Sequence, residues 1–297
     1  MLSDIMYRWR IFPIRVHAWG GLGSQLHAWL LFELLKIRFP RRTIQIVFHS
    51  SGVTRRVPEL SKYFDDSDTI TLDDFSIDRA ESEIARSRHY SLRKLVKDLL
   101  QITGFFAYSN DSKAFSKIKP WVLEIRGHYS RLEIGLNELE IMRKRAISKN
   151  LPFFPLAESS FDYIGVQLRL GDLLEIASKK PIAQEILAPV LGVEIAQNPN
   201  STVYVFSDSP NEVSSYLGDE LAKKCDFSRA NDSAWSTIDA LVQSKVFVGS
   251  TSKLSTWINI YRSLYLPNLR NYMPSMMKEI IENQNPNIHK SKNQNYF

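Results

Sequence analysis

The sequence predicts an α/β protein built from two Rossmann-like domains with parallel sheets. Short apolar stretches with strand alternation are followed, along most of the chain, by segments with a helical apolar period, which is the pattern of βα units. Strand passes to helix through turns bearing glycine and serine at Gly20–Gln25 and at Gly249–Ser252. The 297 residues, 44% hydrophobic and 24% charged, suit two domains of about 150 residues each. The boundary falls at Leu151-Pro-Phe-Phe-Pro155, where two prolines fix a connector. Residues 1–150 then form the first domain and 151–282 the second. Residues 283–297, rich in Asn and Lys, are expected to be disordered.

In chain order, Pro13–Trp19 reads as a strand, Gly20-Gly-Leu-Gly-Ser-Gln25 as a turn and Leu26–Ile37 as a helix whose apolar residues are core. A glycine turn opening a helix presents backbone N–H groups to an anion. The spacing is not Gly-x-Gly-x-x-Gly, so a nicotinamide cofactor is not supported. Thr43–Phe48 is a second strand. Asp66-Ser67-Asp68 invites a divalent-metal reading, but it lies in a polar turn with no other ligand in view and reads as solvated. Residues 79–119 read as mainly helical, with Leu92, Leu95, Val96, Leu99 and Leu100 on one period. Trp121–Ile125 is a strand candidate. The Arg126-Gly-His-Tyr-Ser-Arg131 cluster after it makes His128 and Tyr129 candidates for substrate contact, with a satisfied loop histidine as the ordinary alternative. Leu132–Lys149 is helical.

In the second half, Ile164-Gly-Val-Gln-Leu-Arg-Leu-Gly-Asp172 is an apolar strand that leaves Arg169 and Asp172 at its C-terminal end. Open α/β sheets bind ligands at that edge, and a guanidinium fork matches the oxygens of a diphosphate. A surface Arg and Asp are the plain alternative. Ile182–Gln197 is a helix broken or begun at Pro189. Thr202–Phe206 is a buried strand ending in Ser207 and Asp208, and Ser209-Pro-Asn-Glu212 spells a capping box for the next helix. Trp235–Gln243 is helical and carries Asp239. Lys245–Val248 is a strand, and Gly249-Ser-Thr-Ser252 leads into the helix Leu254–Tyr261, a turn suited to cradle phosphate. Candidate ligands thus gather at three strand ends, at Arg169, Asp208 and Gly249.

Composition narrows the partners. A single cysteine, Cys225, forbids an intramolecular disulfide. No apolar run approaches the roughly 20 residues of a membrane span, and Met1–Phe12 lacks the features of a signal peptide, so a soluble, cytoplasmic protein is expected. The net charge of +6 is unevenly shared: residues 1–150 carry 25 Lys and Arg against 17 Asp and Glu, and residues 151–297 carry 13 against 15. Arg8, Arg10, Arg41, Arg42, Arg55 and Arg56 make the first half a candidate for an anionic partner, such as the inner face of a membrane or a phosphorylated acceptor, against the plain reading of a solvated basic face. No nucleic-acid motif is found, so nucleic acid is not expected.

Gly20-Gly-Leu-Gly-Ser-Gln25, Gly127-His-Tyr-Ser130, Gln167-Leu-Arg-Leu-Gly-Asp172, Phe206-Ser-Asp208, and Asp239 before Gly249-Ser-Thr-Ser252 stand in an order that resembles the α-1,2-fucosyltransferases and, more loosely, the wider fucosyltransferase group. That group opens on Gly-Gly-Leu-Gly-Asn-Gln and centres on His-x-Arg-x-Gly-Asp. Ser24 here replaces its Asn, and Gln167 replaces its His. The resemblance implies a GT-B-like fold of two facing Rossmann-like domains, the first taking the acceptor and the second the nucleotide sugar. It implies inverting transfer from GDP-fucose to a sugar hydroxyl, in surface-glycan synthesis, with no metal or cofactor.

On this reading Arg169 stabilises the departing diphosphate, and Asp172 is the carboxylate closest by motif to a general base, with His17, His27 and His128 in reserve. Gly21, Gly23, Ser24, Gln25, Gln167, Ser207, Asp208, Asp239, Ser250, Thr251 and Ser252 are the expected donor-binding residues. The acceptor is expected to be a glycan or lipid-linked glycan, contacted by His128 and Tyr129. A transferase using another nucleotide sugar, and a non-catalytic sugar-nucleotide-binding protein, are the alternatives left open by Ser24 and Gln167.

Overall fold

The computed structural model describes residues 12–50, 57–73, 99–100, 102–108, 115, 118–127, 129, 132–152, 161–171, 173, 181–288 and 293–297. The chain divides into two compact units, Met1–Glu133 with Glu140–Leu151, and Ile134–Leu139 with Pro152–Phe297. Each contains a five-stranded sheet in which every pairing is parallel, so the α/β class holds. No helix among the described residues is long and apolar enough to cross a membrane.

The first unit runs β1 (Ile14–Ala18), α1 (Leu22–Arg38), β2 (Ile44–His49), β3 (Thr69–Leu72), β4 (Phe106–Tyr108) and β5 (Glu124–Arg126), and its sheet has the order β3-β2-β1-β5-β4; α2 (Leu136–Ser148) follows, its residues to Leu139 counted with the second unit and the rest with the first. The chain crosses from β3 at one edge to β4 at the other, and β5 then inserts between β4 and β1. Ile14, Val16, Ile44, Ile46 and Phe48 are buried. Phe48 meets Phe64 edge-on at 5.7 Å, and Phe64 in turn meets Phe32 and Trp29 of α1. That face of the sheet is the α1 face. By strand alternation His17 and His49 point to the other.

Three expectations are corrected here. The helix α1 starts at Leu22, earlier than the apolar run suggests, because Gly20 at φ +80° turns the chain and Gly21 serves as an extended N-cap; Gly23, Ser24 and Gln25 are therefore helical and not part of a loop. Of the helix expected over 79–119, residues 79–98 and 109–114 lie outside the described residues, while Phe106–Tyr108 is a strand. Arg42 is no surface cation. Its guanidinium is buried and donates to the carbonyls of Phe12, Pro120 and Val122, satisfying backbone oxygens at the N-terminal edge of the sheet.

The second unit runs β6 (Phe161–Leu168), α3 (Gln184–Gln197), β7 (Thr202–Ser207), α4 (Val213–Ala222), α5 (Ala234–Gln243), β8 (Ser244–Val248), α6 (Lys253–Tyr265), β9 (Arg270–Met273), α7 (Lys278–Gln284) and β10 (Gln294–Tyr296). Its order, β10-β9-β8-β6-β7, is the doubly wound 2-1-3-4-5 arrangement counted from β6, with the switch of direction between β6 and β8. Ile164, Val166, Val203, Val205, Val246 and Val248 pack with Leu187 and Leu191 of α3 and Val213 and Leu217 of α4. Fully burying each such side chain stabilises the fold by about 1.5–3 kcal/mol. Arg262, wholly buried, donates to the carbonyls of Leu241, Val242 and Ser244 and so satisfies the end of α5 as it turns into β8.

Pro189 neither breaks nor begins α3. It and Glu185, whose carbonyl it deprives of a donor, both lie on the exposed side, where that carbonyl is open to solvent. The capping box is not made. Glu212 N–H donates to the main-chain oxygen of Ser209 at 3.1 Å in a 3₁₀ turn, which satisfies the amide that the Ser209 hydroxyl would have taken. Disorder is not what the end of the chain shows, since Gln294–Tyr296 pairs with β9. Asn293 and Asn295 donate side-chain amides to the carbonyls of Pro267 and Asn271, so the polar composition serves a sheet edge.

Candidate functional site

The C-terminal ends of β6, β7 and β8 lie on one edge of the second sheet because all three strands are parallel, which brings Arg169, Asp208 and Gly249 to that edge. Asp208 is tied to the turn after β6: its Oδ1 accepts from the amides of Leu170 at 2.9 Å and Gly171 at 3.1 Å. A Cβ on Gly171 would stand 3.0 Å from Asp208 Oδ2, so a side chain there would crowd the carboxylate, and no left-handed turn is involved. The pair fixes where Arg169 leaves the strand. Ser207 closes β7, its Oγ accepting from Ser209 N–H at 3.1 Å.

At the switch between β6 and β8 a hydroxyl network holds the start of α6. Ser252 is the N-cap, accepting from Ser255 N–H at 3.0 Å. Ser255 Oγ accepts from Ser250 N–H at 2.8 Å and donates to Gln167 Oε1, an oxygen that also takes the Ser252 hydroxyl at 3.1 Å. Gln167 on β6 and Ser250 and Ser252 after β8 thus form one cluster, with half-buried Thr251 at its turn. The first residue of α6 is Lys253. Burial, and then the charge of Arg169, push its ammonium down to about 7. Two cations and a helix N-terminus therefore meet at one switch point, an arrangement that favours an anion.

Sequence reasoning missed Lys253. A basic residue directly after a serine cap opposes the helix dipole, and that anomaly was the available signal. Asp172 and His128 lie outside the described residues. Asp239 is not brought to this edge: it is exposed on α5, accepts from Gln243 at 2.7 Å, and its charge acts on Tyr163, in the N-terminal half of β6. Its expected place in a nucleoside site is corrected accordingly.

In the first unit the glycine turn is held from within. Gln25, buried, donates to Gly20 O at 2.9 Å and accepts from Leu60 N–H at 3.0 Å, so its carboxamide staples the turn and is not offered to a ligand. Gly23 is buried in α1, where its carbonyl lies 2.7 Å from His27 Nδ1, Gly21 caps the helix, and half-buried Ser24 follows in its first turn. Tyr129 is also structural. It is 1% exposed, its hydroxyl lies 2.7 Å from His17 O and 2.8 Å from Ile125 O, and burial raises its phenol above the ordinary range. It ties β1 to β5 and cannot touch an acceptor.

On the other face of this sheet, His17 Nδ1 lies 2.8 Å from His49 Nε2, and His17 Nε2 lies 3.6 Å from Glu124 Oε2. Half-buried Trp19 stacks on both imidazoles, with centroids at 5.3 and 4.5 Å. Asp68, of the acidic pair, accepts from Lys36 at 2.8 Å. Among the described residues no cluster of His, Cys, Asp or Glu is placed to hold a metal.

No family model matches this sequence, and no curated protein does. Among solved structures, POFUT1 in complex with GDP is similar at 13% identity and a TM-score of 0.41, over 88% of this chain and 98% of that one. The E. coli heptosyltransferase WaaC with ADP is similar at 10% identity and a TM-score of 0.39, over 96% of this chain and 92% of that one.

Proposed function

We propose that the chain is a glycosyltransferase that holds the diphosphate of a nucleotide sugar at the β6/β8 switch of its second unit. The observation that carries this reading is the meeting of Arg169, Lys253 and the capped start of α6 at one point of a doubly wound parallel sheet. In glycosyl transfer, negative charge grows on the diphosphate as the anomeric bond breaks. Preorganised cations and amides are worth most where that charge develops. Arg169, leaving β6 at a turn fixed by Asp208, is the bidentate partner for the departing phosphate, and Lys253 and the Ser250–Ser252 turn complete the cradle.

The ordered motif resemblance makes GDP-fucose the donor, an inverting transfer the stereochemistry and a glycan or lipid-linked glycan the acceptor. On this reading Arg169 and Lys253 supply the positive charge that a metal would otherwise bring to the leaving group, and transfer is expected to need no metal. One observation favours a second reading. Gln167, where the family has His, has its carboxamide oxygen taken by the N-cap serine and a first-turn serine of α6, which suits a transferase specialised for another nucleotide sugar.

A thermal-shift panel of GDP, GDP-fucose and UDP-, ADP- and CMP-sugars decides the donor, since a bound ligand raises apparent stability by mass action. GDP-fucose should stabilise most, and its turnover should survive EDTA. Selective stabilisation by another nucleotide sugar moves the donor assignment to that sugar. Loss of turnover in chelator with recovery on added manganese ends the metal-free mechanism.

A further inference from the structure

We propose that the N-terminal edge of the first sheet, under β2, β1, β5 and β4, is a docking surface for an anionic lipid bilayer. The inference goes beyond the transferase reading and does not depend on it. In a parallel sheet all strands start on one edge, so the segments that feed these four come together there. Hydrogen bonds show that they touch. Arg42, at the entry to β2, donates to the carbonyls of Phe12 before β1 and of Pro120 before β5. Trp121 Nε1 donates to Thr103 O at 2.9 Å, which joins the entry of β5 to that of β4. Arg38, in the last turn of α1, donates to Phe115 O and lies over the rings of Phe39 and Phe115.

This framework leaves large apolar side chains in solvent. Leu99 and Ile102 belong to the turn that ends at Thr103, whose hydroxyl donates to the carbonyls of Leu99 and Leu100. Ile102 is 84% exposed and Leu99 59%, while Ile37 at the end of α1 is 57% exposed and Phe12 55%. Folding does not bury these groups, and exposed apolar side chains gathered at one place mark a surface that meets a partner.

The charges on the same segments choose the partner. Arg38, Arg41 and Lys119 are exposed, and residues 36–44, 99–108 and 115–123 contain no aspartate or glutamate. The acidic residues Asp65, Asp66 and Asp68 stand before β3, at the other corner of the edge. There Lys149 lies 3.2 Å from Asp65 and Lys36 lies 2.8 Å from Asp68. Apolar side chains flanked by cations match a bilayer interface, where the former enter the boundary between headgroups and acyl chains and the latter meet anionic headgroups. Such headgroups supply the one sign of charge that this part of the edge lacks. In the sequence Phe12 follows Tyr7-Arg-Trp-Arg-Ile11, whose aromatics and arginines are of the kind that anchor at membrane interfaces.

The test is sedimentation of the full chain with lipid vesicles. Wild type should sediment with vesicles of mixed phosphatidylglycerol and phosphatidylcholine, should bind pure phosphatidylcholine far less, and should be released by salt. Arg41→Gln and Lys119→Gln should each weaken binding about fivefold. Ile102→Asp should weaken it by about tenfold or more. All three side chains are exposed, so the melting temperatures should match wild type. Met276→Asp, at an apolar residue of the second unit that is also exposed, should bind as wild type does. Failure of wild type to sediment with the anionic vesicles, equal binding to pure phosphatidylcholine, or Arg41, Lys119 and Ile102 variants that bind as wild type overturns the assignment. Self-association of wild type that the same variants abolish, without vesicle binding, makes the edge a protein interface and overturns it as well. No nucleotide sugar or turnover enters the measurement, so the transferase reading stands or falls separately.

Discussion

The C-terminal edge of the second sheet offers Arg169, Lys253 and serine hydroxyls, whereas the first sheet offers His17, His49, Glu124 and a stacked Trp19 along β1, β2 and β5. Both sheets are five-stranded and wholly parallel, so strand number and direction do not account for the contrast. Side chains do. One group is rich in positive charge and donors and suits a ligand that arrives anionic. The other is built from imidazoles, a carboxylate and an indole packed on one another. A parallel sheet can carry either set because its strand ends are open positions supported by a rigid core.

The contrast breaks most visibly at Arg169. Arg169→Lys keeps the charge and loses the fork, so turnover should fall by about 100-fold to 1000-fold, on the order of 3–4 kcal/mol, with the melting temperature of the ligand-free protein nearly unchanged. A variant that remains active but melts early would assign Arg169 to the fold and remove the anion site from the comparison.

Tyr129→Phe should lower stability by about 1–3 kcal/mol, because it strips the buried carbonyls of His17 and Ile125 of their hydroxyl partner. Denaturant melts measure the loss. Its donor affinity should match wild type, and a selective loss of acceptor binding with full stability would return Tyr129 to the substrate site.

The smallest effect is a pH dependence. Lys253 is held down at about 7 by burial and by Arg169, and an arriving diphosphate raises it again, so binding takes up a proton just above that pH. GDP affinity should therefore weaken by up to about tenfold per pH unit above 7, and Lys253→Met should flatten the profile. The same shift costs the free protein stability below about pH 7. That cost is relieved as pH rises toward the ordinary lysine value, so the ligand-free protein and its complex respond to alkali in opposite directions. Calorimetry in buffers of different ionisation heat counts the proton. No uptake in wild type would remove Lys253 from the cradle.

The strands and helices with a strong apolar period were legible in the sequence, as were the strand ends at Arg169, Asp208 and Gly249. Burying Val, Ile and Leu on a fixed period is a local requirement that composition can state. The short strands β4, β9 and β10 were not legible, because three or four residues carry too little period and edge pairing depends on the neighbour. Gln25, Arg42 and Tyr129 read as ligand-facing or surface residues, yet each has its polar atoms committed to backbone groups distant in sequence.

The sequence by itself determined the α/β class, the parallel character of the sheets and the arginine-bearing edge of the second one, since these follow from periodicity and from turns that local residues specify. Only the tertiary structure decided that His17 meets His49 32 positions away, that Glu124 joins them from a third strand, and that Lys253 comes within reach of the Arg169 charge. The physical reason is register. A parallel pairing between strands separated by a helix sets which side chains share a face, and no residue between them records that choice.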